Sequence, residues 1–582
     1  MDNRKIARIL AEIGEYLEMA GENFKPRAYE KAANSVINLD EEAGLIYRRG
    51  GIKALEEIPG GGQSIAEKIE ELIKTGKLKY YEKLKKAAPV NLTELSRIEG
   101  LGPKKIRKLY DEIGVKSVSD LERAAKSGRI RTVPGFGEKS EEDILKGIEF
   151  LKKSKGRFIL GFIMPEVRKI EEELKKLSLA SRLEVAGSVR RMKETIGDID
   201  ILASVKGGKD FDRRAKKMMS AFTSMDEVEH IYAEGPTRAS VRLKLGLDAD
   251  LRVIPESSYG AALLYFTGSK DHNIALRNIA IKKGWKLNEY GLFKGQKIIA
   301  GKTEEEIYAA LGLQFIPPEM RENTGEIELA AEEEIPKLVG YDDLRGDLQI
   351  QTDWTDGSSG IADYAEEAME KGLEYIAITD HTKHLAMTGG LDEKRLASQG
   401  KEIDKINSRI RKAGKRFRVL KGTEVDILKD GSLDLKDEAL AKLDIVGAAI
   451  HSYFNLSEDE QTRRLIRAME NKNVHIIFHP TGRIINRRES IKLNIDEVVR
   501  MAKKTGTVLE IDAYPDRLDL KDDFVKKCVE AGVKISINSD SHEACQIKYL
   551  YLGIGQARRG WAKKSDVINA WPLDKMLSFL KR

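Results

Sequence analysis

Apolar residues at Ile6, Ile9, Leu10, Ile13 and Leu17 recur close to the helical period, so residues 2–19 are predicted to form an amphipathic helix, and a second is predicted around 28–36. The helical pattern continues to about residue 90. It is broken by a glycine-rich bend, Ile58-Pro59-Gly60-Gly61-Gly62-Gln63-Ser64, that leads into another helix. The same arrangement returns at Ile98-Glu99-Gly100-Leu101-Gly102-Pro103-Lys104-Lys105 and at Val133-Pro134-Gly135-Phe136-Gly137-Glu138-Lys139. Glycine permits the tight turn, and the helix that follows presents free backbone amides at its first turn. Such amides suit a backbone phosphate and read no base. Lys104, Lys105 and Lys139 would add salt-sensitive attraction. One such turn only shapes a loop; three of them, each opening a helix, point to nucleic acid.

From about residue 160 the period shifts towards two. A strand is predicted at 183–186, followed by Gly187-Ser188-Val189-Arg190-Arg191 and then Ile196-Gly197-Asp198-Ile199-Asp200-Ile201-Leu202. Asp198 and Asp200 alternate with apolar residues, so on a strand they share a face. Two carboxylates held side by side repel unless a cation lies between them, which describes a divalent-metal site suited to phosphoryl chemistry. A later strand, predicted as one run over 241–253, adds Asp250 on the face of Asp248 and Arg252. The Gly-Ser pair and the arginines offer a triphosphate a backbone amide, a hydroxyl and positive charge. Residues 256–320 mix short strands and helices around Tyr265-Phe266-Thr267-Gly268-Ser269-Lys270-Asp271-His272-Asn273. Residues 321–345 are glutamate-rich with few large apolar groups and are predicted to be a partly extended linker to a separately folded body.

From 346 to 575, short β-rich runs at 375–379, 417–420, 445–450, 474–478, 508–511 and 534–537 are mostly separated by helical stretches, the spacing of a parallel barrel. Polar residues collect near or just past strand ends, where barrel active sites form. Asp356, His381, Glu424, His451, His479, Asp540 and His542 make a candidate metal cluster.

Composition sharpens this. With 582 residues the chain has room for several domains, and 41% hydrophobic against 34% charged residues is an ordinary globular balance. Two cysteines exclude a disulfide scaffold or an all-cysteine zinc site and fit a reducing cytosol. No apolar run approaches the ~18 residues of a membrane span, and the N-terminus lacks a signal-peptide core. The net charge of +6 is uninformative as a total, but residues 1–320 and 401–582 are each basic while 321–400 are acidic. Six of the eight histidines follow residue 380.

The residues from Gly187 through Asp200 and from Tyr265 through Asn273, with Asp380-His381 and Asp540-Ser541-His542, resemble those of bacterial and archaeal family X DNA polymerases that carry a C-terminal polymerase-and-histidinol-phosphatase (PHP) domain. The resemblance covers essentially the whole chain. It implies a multidomain fold: an all-helical domain at 1–88 holding the 5′ side of a DNA gap, helix-hairpin-helix fingers at 89–158, an α+β nucleotidyltransferase palm at 159–256 and thumb at 257–320, the linker at 321–345, and a distorted (β/α)7 PHP barrel at 346–582. It implies two Mg2+ ions on Asp198, Asp200 and Asp250, with Asp250 nearest the primer 3′-hydroxyl. It places Gly187, Ser188 and Arg191 at the triphosphate, Tyr265, Phe266 and Gly268 at the sugar, and Asn273 and Arg277 at the incoming dNTP and nascent pair. Gly60, Gly62, Gly100, Gly102, Lys104, Lys105, Gly135 and Gly137 become DNA contacts, with Na+ or K+ on the turn carbonyls. Lys68 matches an amine that opens abasic sugars in vertebrate polymerase beta, which leaves dRP lyase chemistry or a plain phosphate contact as alternatives.

The PHP motif departs from its family. Relatives open with two histidines one residue apart, and this chain has Gln349 and Gln351 there. Carboxamide is a poor ligand for Mn2+ or Zn2+ where imidazole is a good one, so nuclease activity is expected to be weak or lost. The expectation is a gap-filling, DNA-repair polymerase acting on gapped or primer-template DNA, cytoplasmic and nucleoid-associated, with no membrane partner and monomeric because one chain holds a whole site. The alternatives are a PHP 3′–5′ exonuclease or AP endonuclease, and a non-enzymatic DNA end-binding protein.

Overall fold

The computed structural model describes residues 3–581 except 23–24, 40, 89, 99, 154–155 and 206–209. Asp2, expected to start the first helix, and Glu99, within the second hairpin, lie outside the described residues; the helix runs Asn3–Met19. Its apolar stripe packs with Lys25–Asn38, Ala43–Glu56 and Gln63–Thr75 around Leu10, Ile13, Val36, Leu55 and Ile69. Leu92–Leu95, Pro103–Ile113, Val118–Lys126 and Glu138–Lys153 enclose a second core.

The three glycine bends share one geometry. The amides of Gly61, Leu101 and Phe136 donate to the carbonyls of Ile58, Ile98 and Val133 respectively. Gly60, Gly100 and Gly135 take φ of 78°, 78° and 86°, a region costly for any other residue. Helices start right after Gly62, Gly102 and Gly137.

The next unit is a five-stranded sheet ordered Arg182–Val185, Asp198–Val205, Asp248–Pro255, Arg238–Leu243, Val228–Glu234. Helices Leu160–Lys176 and Phe211–Thr223 share its core. The strand expected over 241–253 is in fact two antiparallel strands. Gly246, at φ 86°, closes the turn between them through its amide bond to Leu243, and Arg242 pairs with Asp248 across the hairpin. Alternation runs unbroken through Lys244-Leu245-Gly246-Leu247, so Gly246 is the one local mark of the break. Tyr259–Thr267, Lys270–Lys282, Glu304–Leu311 and a three-stranded meander form the following unit.

Residues 321–345 are not an extended linker. Arg321 and Glu326 are fully buried, Glu326–Ala331 is helical, and Ile327, Ala330 and Leu338 join the core of residues 261–338. Two of its glutamates are absorbed by partners, Glu322 by Arg191 and Arg559 and Glu326 by His272, while Glu328, Glu332, Glu333 and Glu334 are exposed. For Glu322 and Glu326, counting glutamates suggests solvation only while their partners, distant in sequence, are unseen.

Seven parallel strands follow in chain order, from Gly346–Asp347 to Ile535–Asn538. A bridge between Ile350 and Ser541 and the bond from the Leu348 amide to Asn538 bring the last strand back to the first, giving a nearly closed barrel. Among the described residues, no helix is long and apolar enough to cross a membrane.

Candidate active sites

Asp198–Val205 and Asp248–Pro255 are parallel neighbours whose register sets Asp198 opposite Asp248 and Asp200 opposite Asp250. Alternation then puts Asp198, Asp200 and Asp250 on one face. Burial, reinforced by Asp198 and Asp250, pushes the Asp200 carboxyl up to about 7; burial and Asp250 also raise Asp198. Ser240, opposite Asp250 on the third strand, donates its hydroxyl to that carboxylate, and Arg238 lies 3.5 Å from it. Three oxygen ligands crowded to mutual disadvantage fit hard divalent cations.

Gly187 opens a four-residue helix beside this cluster at φ 60°. A Cβ there would lie 2.5 Å from Asp200 Oδ2, so only glycine lets the backbone approach the carboxylate. Gly187→Ala is expected to lower nucleotide incorporation by about 10²-fold, the scale of an ångström-level misplacement, with the circular dichroism spectrum unchanged. Incorporation at the parental rate would show that the close approach is unnecessary.

The two arginines after Ser188 diverge. Arg190 forms a two-pronged pair with buried Glu304 and donates to the Thr267 hydroxyl, a structural bracket between sheet and thumb. Arg191 donates to the Thr267 carbonyl and, at 3.1 Å, to Glu322. A Cβ on Gly268, at φ 69°, would fall 3.1 Å from the Arg191 guanidinium. Tyr265, Asn273 and Arg277 line one cleft, where the Asn273 amide donates to the Tyr265 carbonyl at 2.7 Å. Phe266 stacks edge-on with Tyr265 and lies under Arg252, 4.5 Å from its ring centre, which joins this cleft to the carboxylate strand. The structure thus joins the expected nucleotide residues in two adjoining groups.

At the hairpins, Lys105 donates to the Gly100 carbonyl at 2.8 Å and lies near the Phe136 ring. That ammonium ties the second hairpin to the third. Lys68 donates to both the carbonyl and the hydroxyl of Ser64 and sits over the rings of Tyr80 and Tyr29; burial lowers its pKa.

In the barrel, Glu424 is the hub. Its carboxylate lies 3.2 Å from His381 Nδ1, 3.1 Å from His451 Nε2 and 2.7 Å from His479 Nε2. Burial would raise its pKa, but His381 and His451 hold it well below the usual carboxylate range. His451, despite burial, is raised to about 9 by Glu424 and Asp426. Asp356, His381 and His542 form one group with ligand atoms within 4.8 Å of one another, and His381, Glu424 and His451 form another. The ring nitrogens His381 Nδ1 and His479 Nδ1 are buried without a hydrogen-bond partner. Imidazole and carboxylate atoms so arranged fit Mn2+ or Zn2+.

Asp540 belongs to neither group; its charge acts on Asp512 and Arg517 and also on His542, whose Nδ1 lies 2.8 Å from the Asp540 carbonyl. Around it, carboxamides stand at the two positions where a further ion would take imidazole. Gln351 donates to Glu424 at 2.6 Å, and the Gln349 amide abuts Glu510, to whose two oxygens it would donate at 2.6 and 3.0 Å with its nitrogen turned towards them. Burial and neighbouring acids push Glu510 and Asp512 well above the usual carboxylate range. Sequence reasoning missed Asp426, 3.1 Å from His451 and 3.5 Å from His384, as well as Glu510 and Asp512. Their signal was present: Glu424-x-Asp426 and Glu510-x-Asp512 repeat the alternation that revealed Asp198-x-Asp200.

Comparison with known proteins agrees with this geometry. Family models match for a helix-hairpin-helix domain at residues 1–78, a SAM-like helix-hairpin-helix tandem at 92–149, a DNA polymerase beta thumb at 262–322 and a PHP domain at 347–514. The DNA polymerase/3′-5′ exonuclease PolX of Bacillus subtilis (strain 168) is 38% identical over 587 residues, 100% of both chains. DNA polymerase lambda of Rattus norvegicus is 25% identical over 55% of this chain and 56% of its own. A probable phosphatase of Thermoanaerobacter sp. (strain X514) is 34% identical over 32% of this chain and 73% of its own. A solved Leishmania infantum polymerase beta in a ternary P/T complex covers 40% of this chain and 97% of that one, at 24% identity and a TM-score of 0.27. The full-length match and the ordered hairpin, thumb and PHP units mean that the chain belongs to the bacterial family X DNA polymerases with a C-terminal PHP domain, and is a DNA-directed DNA polymerase.

Proposed function

We propose that the protein fills short gaps in DNA by transferring a nucleotide from a dNTP to a primer 3′-hydroxyl at Asp198, Asp200 and Asp250, and that its PHP site is a weakened nuclease. The in-register carboxylates opposite Gly187 carry this reading. Magnesium at these residues would lower the pKa of the 3′-hydroxyl and offset charge on the phosphates. The chain does the positioning. Ser240 and Arg238 fix the Asp250 carboxylate, Gly187 brings its backbone to Asp200, and Arg191 supplies positive charge beside Gly268. Tyr265, Phe266, Asn273 and Arg277 form the wall for sugar and base. The hairpins at Gly60, Gly62, Gly100, Gly102, Gly135 and Gly137 would grip backbone phosphates, with Lys104 adding charge. With its ammonium on Gly100, Lys105 serves that grip by bracing the hairpin. Lys68, set over Tyr29 and Tyr80, keeps a lyase role open to a trapping experiment: borohydride would link it covalently to an abasic 5′ end, and no adduct would make it a phosphate contact.

The raised Asp200 pKa has a signed consequence. A carboxyl whose native pKa exceeds its unfolded value of about 4 stabilises the metal-free fold below that pH, and the contribution is lost as pH rises through the native pKa of about 7. Magnesium must displace that proton. Calorimetry in buffers of different ionisation enthalpy is expected to show proton release on Mg2+ binding at pH 6 that disappears by pH 8 and is absent in Asp200→Asn. Equal release at both pH values would refute the assignment.

The function itself is tested by comparing one-nucleotide gapped, nicked and open primer-templates with Mg2+. Extension fastest on the gap is expected; extension on none of them would defeat the proposal.

A further inference from the structure

We propose that Arg559, in the PHP domain, is a positioning residue of the polymerase site, holding Arg191 through a shared carboxylate, Glu322. The inference rests on the reading of Arg191 as a triphosphate residue. Arg559 ends the helix Leu550–Arg559, and its side chain is 3% exposed. It donates to the Arg191 carbonyl at 2.8 Å, to Glu322 Oε1 at 3.0 Å and to the Asp522 carboxylate. Glu322 Oε1 also accepts from Arg191 Nε at 3.1 Å and lies 3.7 Å from Lys193. One oxygen therefore serves cations of the palm and of the barrel. Despite burial, those cations keep Glu322 below its usual carboxylate range, so it stays charged at neutral pH.

Residues 191–194 link the Gly187–Arg190 helix to the segment that carries Asp198, and the barrel grips this stretch at further points. Met192, at φ 51°, presses on Gly555, where a Cβ would lie 2.7 Å from Met192 Cε. Arg483 donates to Glu194 at 2.8 Å. Gly161 on the palm helix abuts Leu552 and Pro515, where a Cβ would lie at 2.5 and 2.7 Å. The barrel thus braces the stretch from which Arg191 projects. Removing Arg559 would leave Glu322 and Asp522 short of a buried partner and the Arg191 carbonyl without this donor. Removing one member of such a network disrupts the rest.

Full-length Arg559→Met should therefore raise the KM for the complementary dNTP on a one-nucleotide gap by roughly tenfold and change kcat by less than about threefold, because the three aspartates stay in place. Arg559→Lys should recover part of the loss. Glu322→Gln, which changes no residue of the barrel, should give the same KM signature, and this keeps the test available if Arg559→Met fails to fold. Arg191→Ala combined with Arg559→Met should be no worse in KM than Arg191→Ala alone, because both act through one guanidinium. An additive double variant, or a normal KM in Arg559→Met and Glu322→Gln while Arg191→Ala raises it, overturns the relay. A normal KM in Arg191→Ala overturns instead the assignment of Arg191 to the triphosphate.

Discussion

Asp250→Ala is expected to lower templated incorporation by about three orders of magnitude, the several kcal/mol that a metal-held carboxylate contributes to phosphoryl transfer. The fold should survive. Asp250 lies on a partly exposed face, and its removal relieves repulsion on Asp198 and Asp200. Two opposite signs are therefore expected in one variant: activity falls, while metal-free thermal stability at pH 8 rises or holds. The stabilisation that Mg2+ confers on the parent protein, which follows mass action on the folded state, should largely vanish. A variant that lost activity together with metal-free stability would instead point to a structural role for Asp250.

Gln349→His with Gln351→His is expected to raise Mn2+-dependent 3′ degradation of a primer by about tenfold or more, because imidazole replaces carboxamide at two ligand positions. Both glutamines are fully buried and aim their amides at Glu510 and Glu424. Carboxamides at these two positions are poor ligands, which leaves the two groups that share His381 as the candidate ligand sets. The gained activity should disappear when His479→Ala, at the Glu424 hub, is added. Strong degradation by the parent protein, unchanged in the double variant, would mean that these positions do not limit the nuclease.

The carboxylate face of the sheet was legible in sequence because strand alternation translates directly into side-chain direction, and the parallel register sets Asp250 beside Asp200. The hairpins were legible for a similar local reason, since glycine at a left-handed position is written into the chain at Gly60, Gly100 and Gly135. Pairing between distant residues was not legible. The acidic stretch from 321 looked solvated because Arg191, His272 and Arg559, the partners of Glu322 and Glu326, are 50 or more positions away in sequence or invisible to periodicity. The hairpin between Arg242 and Asp248 was merged into one strand for want of a strong turn signal beyond Gly246. The acidic neighbours of Asp540, Glu510 and Asp512, were not legible either, since they lie on another strand.

The central claim is that Asp198, Asp200 and Asp250 carry out template-directed nucleotidyl transfer. It is tested most directly by offering a labelled primer on a one-nucleotide gap, with Mg2+, each of the four deoxynucleotides singly against each template base. Extension by one nucleotide, fast only with the complementary dNTP and dependent on Mg2+, is the expected result. No extension, or equal extension with all four, would contradict it.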